Sequence, residues 1–190
     1  MGGPMPVPDL NSEPDIKLFG SVGDSMFDRF QEQMDEVRDK DKPIILELTT
    51  TGGDAETGRR IVLDIQTCRE VHKKEIYFLG KTVVYSAGIT IMSAFPQQYR
   101  YITKDTVLLI HERRMDKEFS LKGKPLAACR QITQQINSQM EMAQKLEDEG
   151  FGRLAEGTKL SAEQIGERAL GNWYVRAEEA KELGLVAGLV

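Results

Sequence analysis

From residue 16 onward, short apolar runs alternate with longer segments of helical period, and this alternation restricts the chain to few folds. Ile16–Phe19, 44–48, 76–79, 83–85, 99–102 and Val107–Ile110 are apolar runs of strand length. Between them, 25–37 places Phe27, Phe30, Met34 and Val37 on one helical stripe. The segment 55–72 does the same with Ile61, Ile65, Cys68 and His72. A short apolar helix is expected over 89–94. A long one is expected over 126–146, with Ile132, Ile136, Met140 and Ala143 on one face. Ser161-Ala162-Glu163-Gln164 is a capping box that opens another helix. A last helix over 177–183 is stopped by Gly184. Strands alternating with helices of this length form βα units, so the expected class is α/β with a largely parallel sheet.

The chain has 190 residues, the size of one domain. Residues 1–15 hold Pro4, Pro6, Pro8 and Pro14, four of the seven prolines, and are expected to be a flexible arm. Residues 16–190 are expected to form one domain. The charged stretch 112–124 reads as an exposed loop. The segment 148–159 carries three glycines and reads as a second weak spot. Net charge is −5, from 25 basic and 30 acidic residues, which excludes a general nucleic-acid binder. No apolar run approaches the roughly 18 residues of a membrane span, and no secretory signal is visible. The two cysteines, Cys68 and Cys129, form neither a disulfide framework nor a zinc pattern, so a reduced, cytoplasmic setting is expected.

Sites in open α/β sheets gather at the carboxyl ends of strands. Three such ends carry chemistry here. Ser86-Ala87-Gly88 follows one strand and opens a helix. Ser86 there is either a nucleophile, facing the positive end of a helix dipole, or a plain helix cap. Ala87 can offer its amide to an oxyanion. His111 closes another strand and is either a general base or a structural, hydrogen-bonded histidine. The only other imidazole, His72, lies on the apolar stripe of its helix beside Lys73 and Lys74, and reads as a packing or helix-end residue. Gly52-Gly53 follows a third strand, as a simple turn or as a second source of an oxyanion-binding amide, from Gly53. Neither cysteine is placed for nucleophilic chemistry, and the carboxylates Glu112 and Asp116 read as loop charge. A G-x-S-x-G elbow is lacking because Val84 replaces the first glycine. No phosphate loop or H-E-x-x-H motif is present, since His111-Glu112 lacks the second histidine.

In this order, Gly52-Gly53, Ser86 and His111 resemble the ClpP-type serine peptidases, the proteolytic subunits of Clp proteases. The segment IILELTTTGGDAETG, from Ile44 to Gly58, is similar to that family's strand followed by S-P-G-G-x-x-x-x-G. Ser86-Ala87-Gly88 is similar to its S-M-G turn, and 107–111 to its V-M-I-H strand. The step of 25 residues from Ser86 to His111 also matches. WYVRAEEAKELGL, from Trp173 to Leu185, is similar to N-F-M-S-A-x-E-A-x-E-Y-G-L. The resemblance covers residues 16–190. It implies a ClpP/crotonase-like fold of repeated ββα units with a protruding long helix. It implies a serine endopeptidase with Ser86 as nucleophile, His111 as base, and the Gly53 and Ala87 amides as oxyanion hole. The third triad position falls on Asn172, where the family usually has Asp.

Asparagine can orient an imidazole but carries no charge to stabilise its protonated form. The equivalent change in a Ser-His-Asp enzyme lowers turnover by about 10⁴-fold. The resemblance further implies a peptide or unfolded-protein substrate, homo-oligomeric assembly in heptameric rings through the long helix, an ATP-dependent unfoldase as partner, and no metal or organic cofactor. The sequence also departs from the family in the loop Glu112-Arg113-Arg114-Met115-Asp116, in a longer step from Gly80 to Ser86, and in extra residues placed within 148–159. The alternative is a catalytically silent ClpP-like subunit that shapes a ring or binds a partner. Two remoter readings are a crotonase-type acyl-CoA enzyme and a serine–lysine peptidase based on Lys81 or Lys104.

Overall fold

The computed structural model describes residues 7–114 and 118–190, so residues 1–6 and 115–117, Asp116 among them, lie outside the described residues. Among the described residues, one seven-stranded sheet organises the chain. Its strands are β1 (Ile16–Phe19), β2 (Ile44–Thr50), β3 (Ile76–Tyr85), β4 (Arg100–Ile102), β5 (Val107–Ile110), β6 (Trp173–Arg176) and β7 (Gly188–Leu189). The helices are α1 (Asp24–Val37), α2 (Ala55–Glu70), α3 (Ala87–Met92), α4 (Leu126–Ala155), α5 (Ala162–Ala169) and α6 (Ala177–Glu182). Every strand pairing is parallel except that of β5 with β6. The fold is the expected α/β class with a mostly parallel sheet and a long helix.

Strand β3 forks the sheet. Its first half, Phe78 to Gly80, pairs with β4, and its second half, Val83 to Tyr85, pairs with β5. The two apolar runs read as separate strands, 76–79 and 83–85, are therefore one strand. The left-handed backbone of Thr82 (φ 59°) bends it between its two neighbours.

The main core lies between the sheet and its helices. Ile44, Leu46 and Leu48 of β2 join Met26, Phe30 and Met34 of α1 and Ile61 and Ile65 of α2. Alternate residues Ile45, Tyr77 and Leu79 point to the other sheet face and form a smaller cluster with Leu10. The arm expected over 1–15 is thus held at its described end. Leu10 is buried, and the Asp15 carboxylate accepts a bond from the Ile45 amide. On α1, Met26 takes the core position given to Phe27, which is half-buried with Arg60 over its ring. His72 lies beyond the end of α2 and is exposed, because the helix stops at Glu70 and the chain turns at Lys73 (φ 53°).

Helix α4 corrects the reading of 126–146 followed by a weak spot. It runs 30 residues, about 45 Å, through Gly150 and Gly152. Two helical glycines cost roughly 1 kcal/mol each relative to alanine. The far end of the helix is secured by Arg100. This buried side chain donates to the carbonyls of Phe95, Leu154 and Arg153 at 2.6, 2.9 and 3.1 Å. A guanidinium among the last carbonyls of a helix also suits its dipole. Leu154 is the buried residue of α4, while Met140 and Met142 are more than half exposed. No helix among the described residues is long and apolar enough to cross a membrane.

Candidate active site

The parallel pairing of β3 with β5 places Tyr85 beside Leu109, and the Ser86 amide donates to the Leu109 carbonyl at 2.9 Å. Ser86 and His111 thus leave adjacent strands at their carboxyl ends. Strand β6, which the sequence reading did not assign, returns antiparallel with Trp173 opposite Ile110. The next position of that register puts Asn172 opposite His111. Ser86, His111 and Asn172 line one cleft of about 860 Å3, together with Gly53 and Ala87. All five residues singled out in the sequence meet there.

Ser86 has φ 56° and ψ −116°, a backbone conformation that costs a non-glycine residue on the order of 1–3 kcal/mol. It stands at the N-cap of α3, yet its hydroxyl makes no capping bond. The plain helix-cap reading therefore lacks its defining contact, and the hydroxyl is left to the cleft. Small neighbours make the sharp turn possible. A Cβ on Gly52 (φ 104°) would stand 2.7 Å from the Ser86 Cβ, and one on Gly88 would stand 2.5 Å from the Thr50 methyl. Gly52 is a clearance residue. Gly53 has a second reason to lack a side chain, because a Cβ there would meet the Val22 carbonyl at 2.2 Å. Val22 bonds the Gly52 carbonyl and the Asp54 amide, and among the described residues the Gly53 amide between them has no backbone partner.

The three polar side chains do not form a hydrogen-bonded chain. His111 Nδ1 lies 2.5 Å from the carbonyl of its neighbour Glu112. Asn172 has a left-handed backbone (φ 55°), and its Oδ1 accepts from the Arg114 guanidinium at 3.2 Å. The segment after His111 is held on both sides. Arg113 pairs with Glu56 of α2, and its amide donates to Glu147 of α4. Burial pushes the Glu56 carboxyl up, but Arg113 and Arg59 outweigh it and hold that carboxyl below the ordinary range. Asp54 is also held low, chiefly by the Thr57 amide that its carboxylate caps.

Sequence reasoning missed Glu56, Arg113, Arg114 and Tyr174 as cleft residues. Tyr174 stacks edge-on with Tyr85. The α4 wall of Gln139, Met142, Ala143 and Leu146 was also missed, since nothing local in the helix points to the cleft. Neither Lys81 nor Lys104 lines this cleft, and Lys81 pairs with Glu47 at 2.7 Å. Cys68 is buried on α2, and burial raises its thiol pKa. Among the described residues no cluster of histidine, cysteine and carboxylate side chains could hold a metal ion.

Comparison with known proteins bears on the family and the fold. The family model for Clp protease matches residues 6–190. The ATP-dependent Clp protease proteolytic subunit 2 of Treponema pallidum is 24% identical over 149 residues, covering 78% of this chain and 67% of that protein. Subunit 3 of Rhizobium etli is 26% identical over 150 residues, covering 79% and 69%. In structure, an asparagine-to-aspartate mutant of ClpP1 from Listeria monocytogenes superposes with a TM-score of 0.71 at 21% identity, over 92% of this chain and 90% of that one. With a family match spanning nearly all of its length, the chain belongs to the Clp protease family.

Proposed function

We propose that this chain is a serine endopeptidase working in the cleft between α3 and α4. Ser86 Oγ attacks the scissile carbonyl, and His111 takes its proton and returns it to the leaving amine. The amides of Gly53 and Ala87 receive the oxyanion. Asn172 orients the imidazole without charging it. The observation that carries this reading is the strained Ser86, whose hydroxyl is not spent on capping and which shares one cleft with His111 and Asn172. Catalysis then requires two exchanges of hydrogen bonds. His111 Nδ1 must leave the Glu112 carbonyl, and the Asn172 oxygen must leave Arg114.

Those two competing bonds favour one second reading, a silent subunit whose site never assembles. In either reading the partners are those of the family: ring assembly through α4, peptide or unfolded protein in the cleft, an ATP-dependent unfoldase and a cytoplasmic setting. Intact-mass measurement after fluorophosphonate treatment separates the two. One adduct on the wild type and none on Ser86→Ala supports the peptidase. A folded wild type that stays unlabelled after long exposure supports the silent subunit.

A further inference from the structure

The charged side chains lining the main cleft are Asp54, Glu56, Glu112, Arg113 and Arg114. Asp54 caps α2 through the Thr57 amide, and Glu56 and Arg113 hold each other. Glu112 is exposed to solvent, and no ion pair among the described residues joins it to a cation. Arg114 is exposed as well and belongs to none of those ion pairs. Its guanidinium donates instead to a neutral acceptor, the Asn172 amide oxygen, at 3.2 Å. The cleft that holds Ser86 thus presents a solvent-reachable cation whose present partner carries no charge.

A carboxylate is a stronger acceptor for that group. It brings a charge, and its two coplanar oxygens match the fork of the guanidinium, whereas the amide offers one neutral oxygen. The exchange matters for what it releases. Asn172 follows Ala169 closely, its amide bonded to the Ala169 carbonyl at 3.2 Å, so its backbone is held and rotation of the side chain redirects Oδ1. The register of β5 with β6 already sets it opposite His111. The second competing bond, from the Glu112 carbonyl to His111 Nδ1, arises two residues before Arg114. Both therefore belong to one short strap, pinned at its middle by Arg113 to Glu56 of α2 and Glu147 of α4.

We infer that Arg114 is a receptor for a carboxylate carried by the bound peptide, and that filling it frees Asn172 to orient His111. An acidic side chain and a peptide C-terminus present the same group, and the test separates them. The release of Asn172 rests on the serine-peptidase reading, whereas the binding site does not need it. Arg114 is a specificity and positioning residue, because it touches none of the reacting atoms.

The test uses one neutral peptide scaffold, blocked at both ends. It is compared with forms carrying glutamate or glutamine at each position in turn, and with a form whose C-terminus is free. Binding is read by fluorescence anisotropy on Ser86→Ala, and hydrolysis on the wild type. A carboxylate form is expected to bind about two- to fivefold tighter than its neutral partner, the worth of an exposed ion pair. Its kcat should rise as well as its KM fall, because the carboxylate also frees Asn172. Arg114→Met should erase the preference, and Arg114→Lys should keep part of it. Without peptide, Arg114→Met should speed fluorophosphonate labelling of Ser86 by about two- to fivefold, but not in an Asn172→Gly background, where glycine accepts the left-handed backbone. Hydrolysis without a carboxylate preference, or a preference that Arg114→Met keeps, overturns the site and leaves the peptidase standing. Selective binding with labelling that Arg114→Met does not change overturns the release of Asn172. Absent hydrolysis and labelling, with selective binding that Arg114→Met abolishes, overturns the peptidase and the release and leaves the site. Neither hydrolysis nor selective binding overturns all of them. Arg114 is exposed and lies outside the helices and strands, so its variants are expected to fold, and the wild-type glutamate-to-glutamine comparison decides if they do not.

Discussion

Replacing Gly52 with alanine tests the idea that the nucleophile turn depends on an empty space beside it. The new Cβ would stand 2.7 Å from the Ser86 Cβ and 3.2 Å from both the Ser86 Oγ and the Tyr85 carbonyl. None of these atoms is the far end of a flexible chain, so the backbone must shift. Two costs combine. A side chain at φ 104° costs about 1–3 kcal/mol, and overpacking costs about the same again. The expected destabilisation is therefore about 2–6 kcal/mol, a large share of the roughly 5–15 kcal/mol that holds a typical domain. At about 2–4 °C per kcal/mol for a chain of this size, Tm should fall by on the order of 10 °C. Calorimetry on Gly52→Ala reads that directly. The same change in a Ser86→Gly background isolates the clash. There the opposing Cβ and Oγ are gone, the backbone strain and the 3.2 Å approach to the Tyr85 carbonyl remain, and the cost should drop toward about 1–3 kcal/mol. A Gly52→Ala protein melting within a degree of the wild type, or an equal cost in both backgrounds, would refute the reasoning.

Three further outcomes are expected. Asn172→Asp should raise peptide hydrolysis, by up to about 10⁴-fold if the carboxylate reaches the imidazole, whereas an unchanged rate places the third group elsewhere. Arg100→Met should leave the carbonyls of Phe95, Leu154 and Arg153 without their donor and cost at least about 2 kcal/mol in urea unfolding; amide exchange should quicken first in the last turns of α4, and uniform exchange would argue against the latch. Burial, aided by Glu75, raises the Tyr77 phenol to about 12. The folded state then keeps a proton that the unfolded chain releases near pH 10, so this contribution to stability is present below pH 10 and lost as pH climbs toward 12. Absorbance titration of tyrosinate should show a late step that Tyr77→Phe removes, and an unchanged curve would contradict the assignment.

The parallel sheet was legible because strands buried on both faces read as unbroken apolar runs, as in Ile44-Ile45-Leu46. Strand β6 was not, because Trp173, Tyr174 and Arg176 stay partly or well exposed and give no such run. Its omission hid the register that sets Asn172 opposite His111, and Asn172 was found through family resemblance instead. The left-handed Ser86 had no signal either, since glycine and, more weakly, asparagine advertise positive φ in a sequence and serine does not. What was legible was the glycine at position 52 that makes room for it, read there as a turn. Gly150 and Gly152 suggested a break because the residue that holds the helix together, Arg100, lies on a distant strand. Short-range patterns revealed the elements, and long-range contacts decided where they ended.

The fork in β3 has a consequence for how the chain acquires its structure. This strand cannot complete its pairing until β2, β4 and β5 are all in place, and every one of those pairings is parallel. Each parallel neighbour must return across the sheet before it adds a bond, so closure entropy is spent before contacts repay it. The two outer additions close still longer stretches of chain. Val107 waits for Arg176, and Tyr101 waits for Gly188. The nucleophile turn at the end of β3 is thus closed across 23 residues of chain, from Ser86 to the Leu109 carbonyl of β5, so ordering it requires that strand in place.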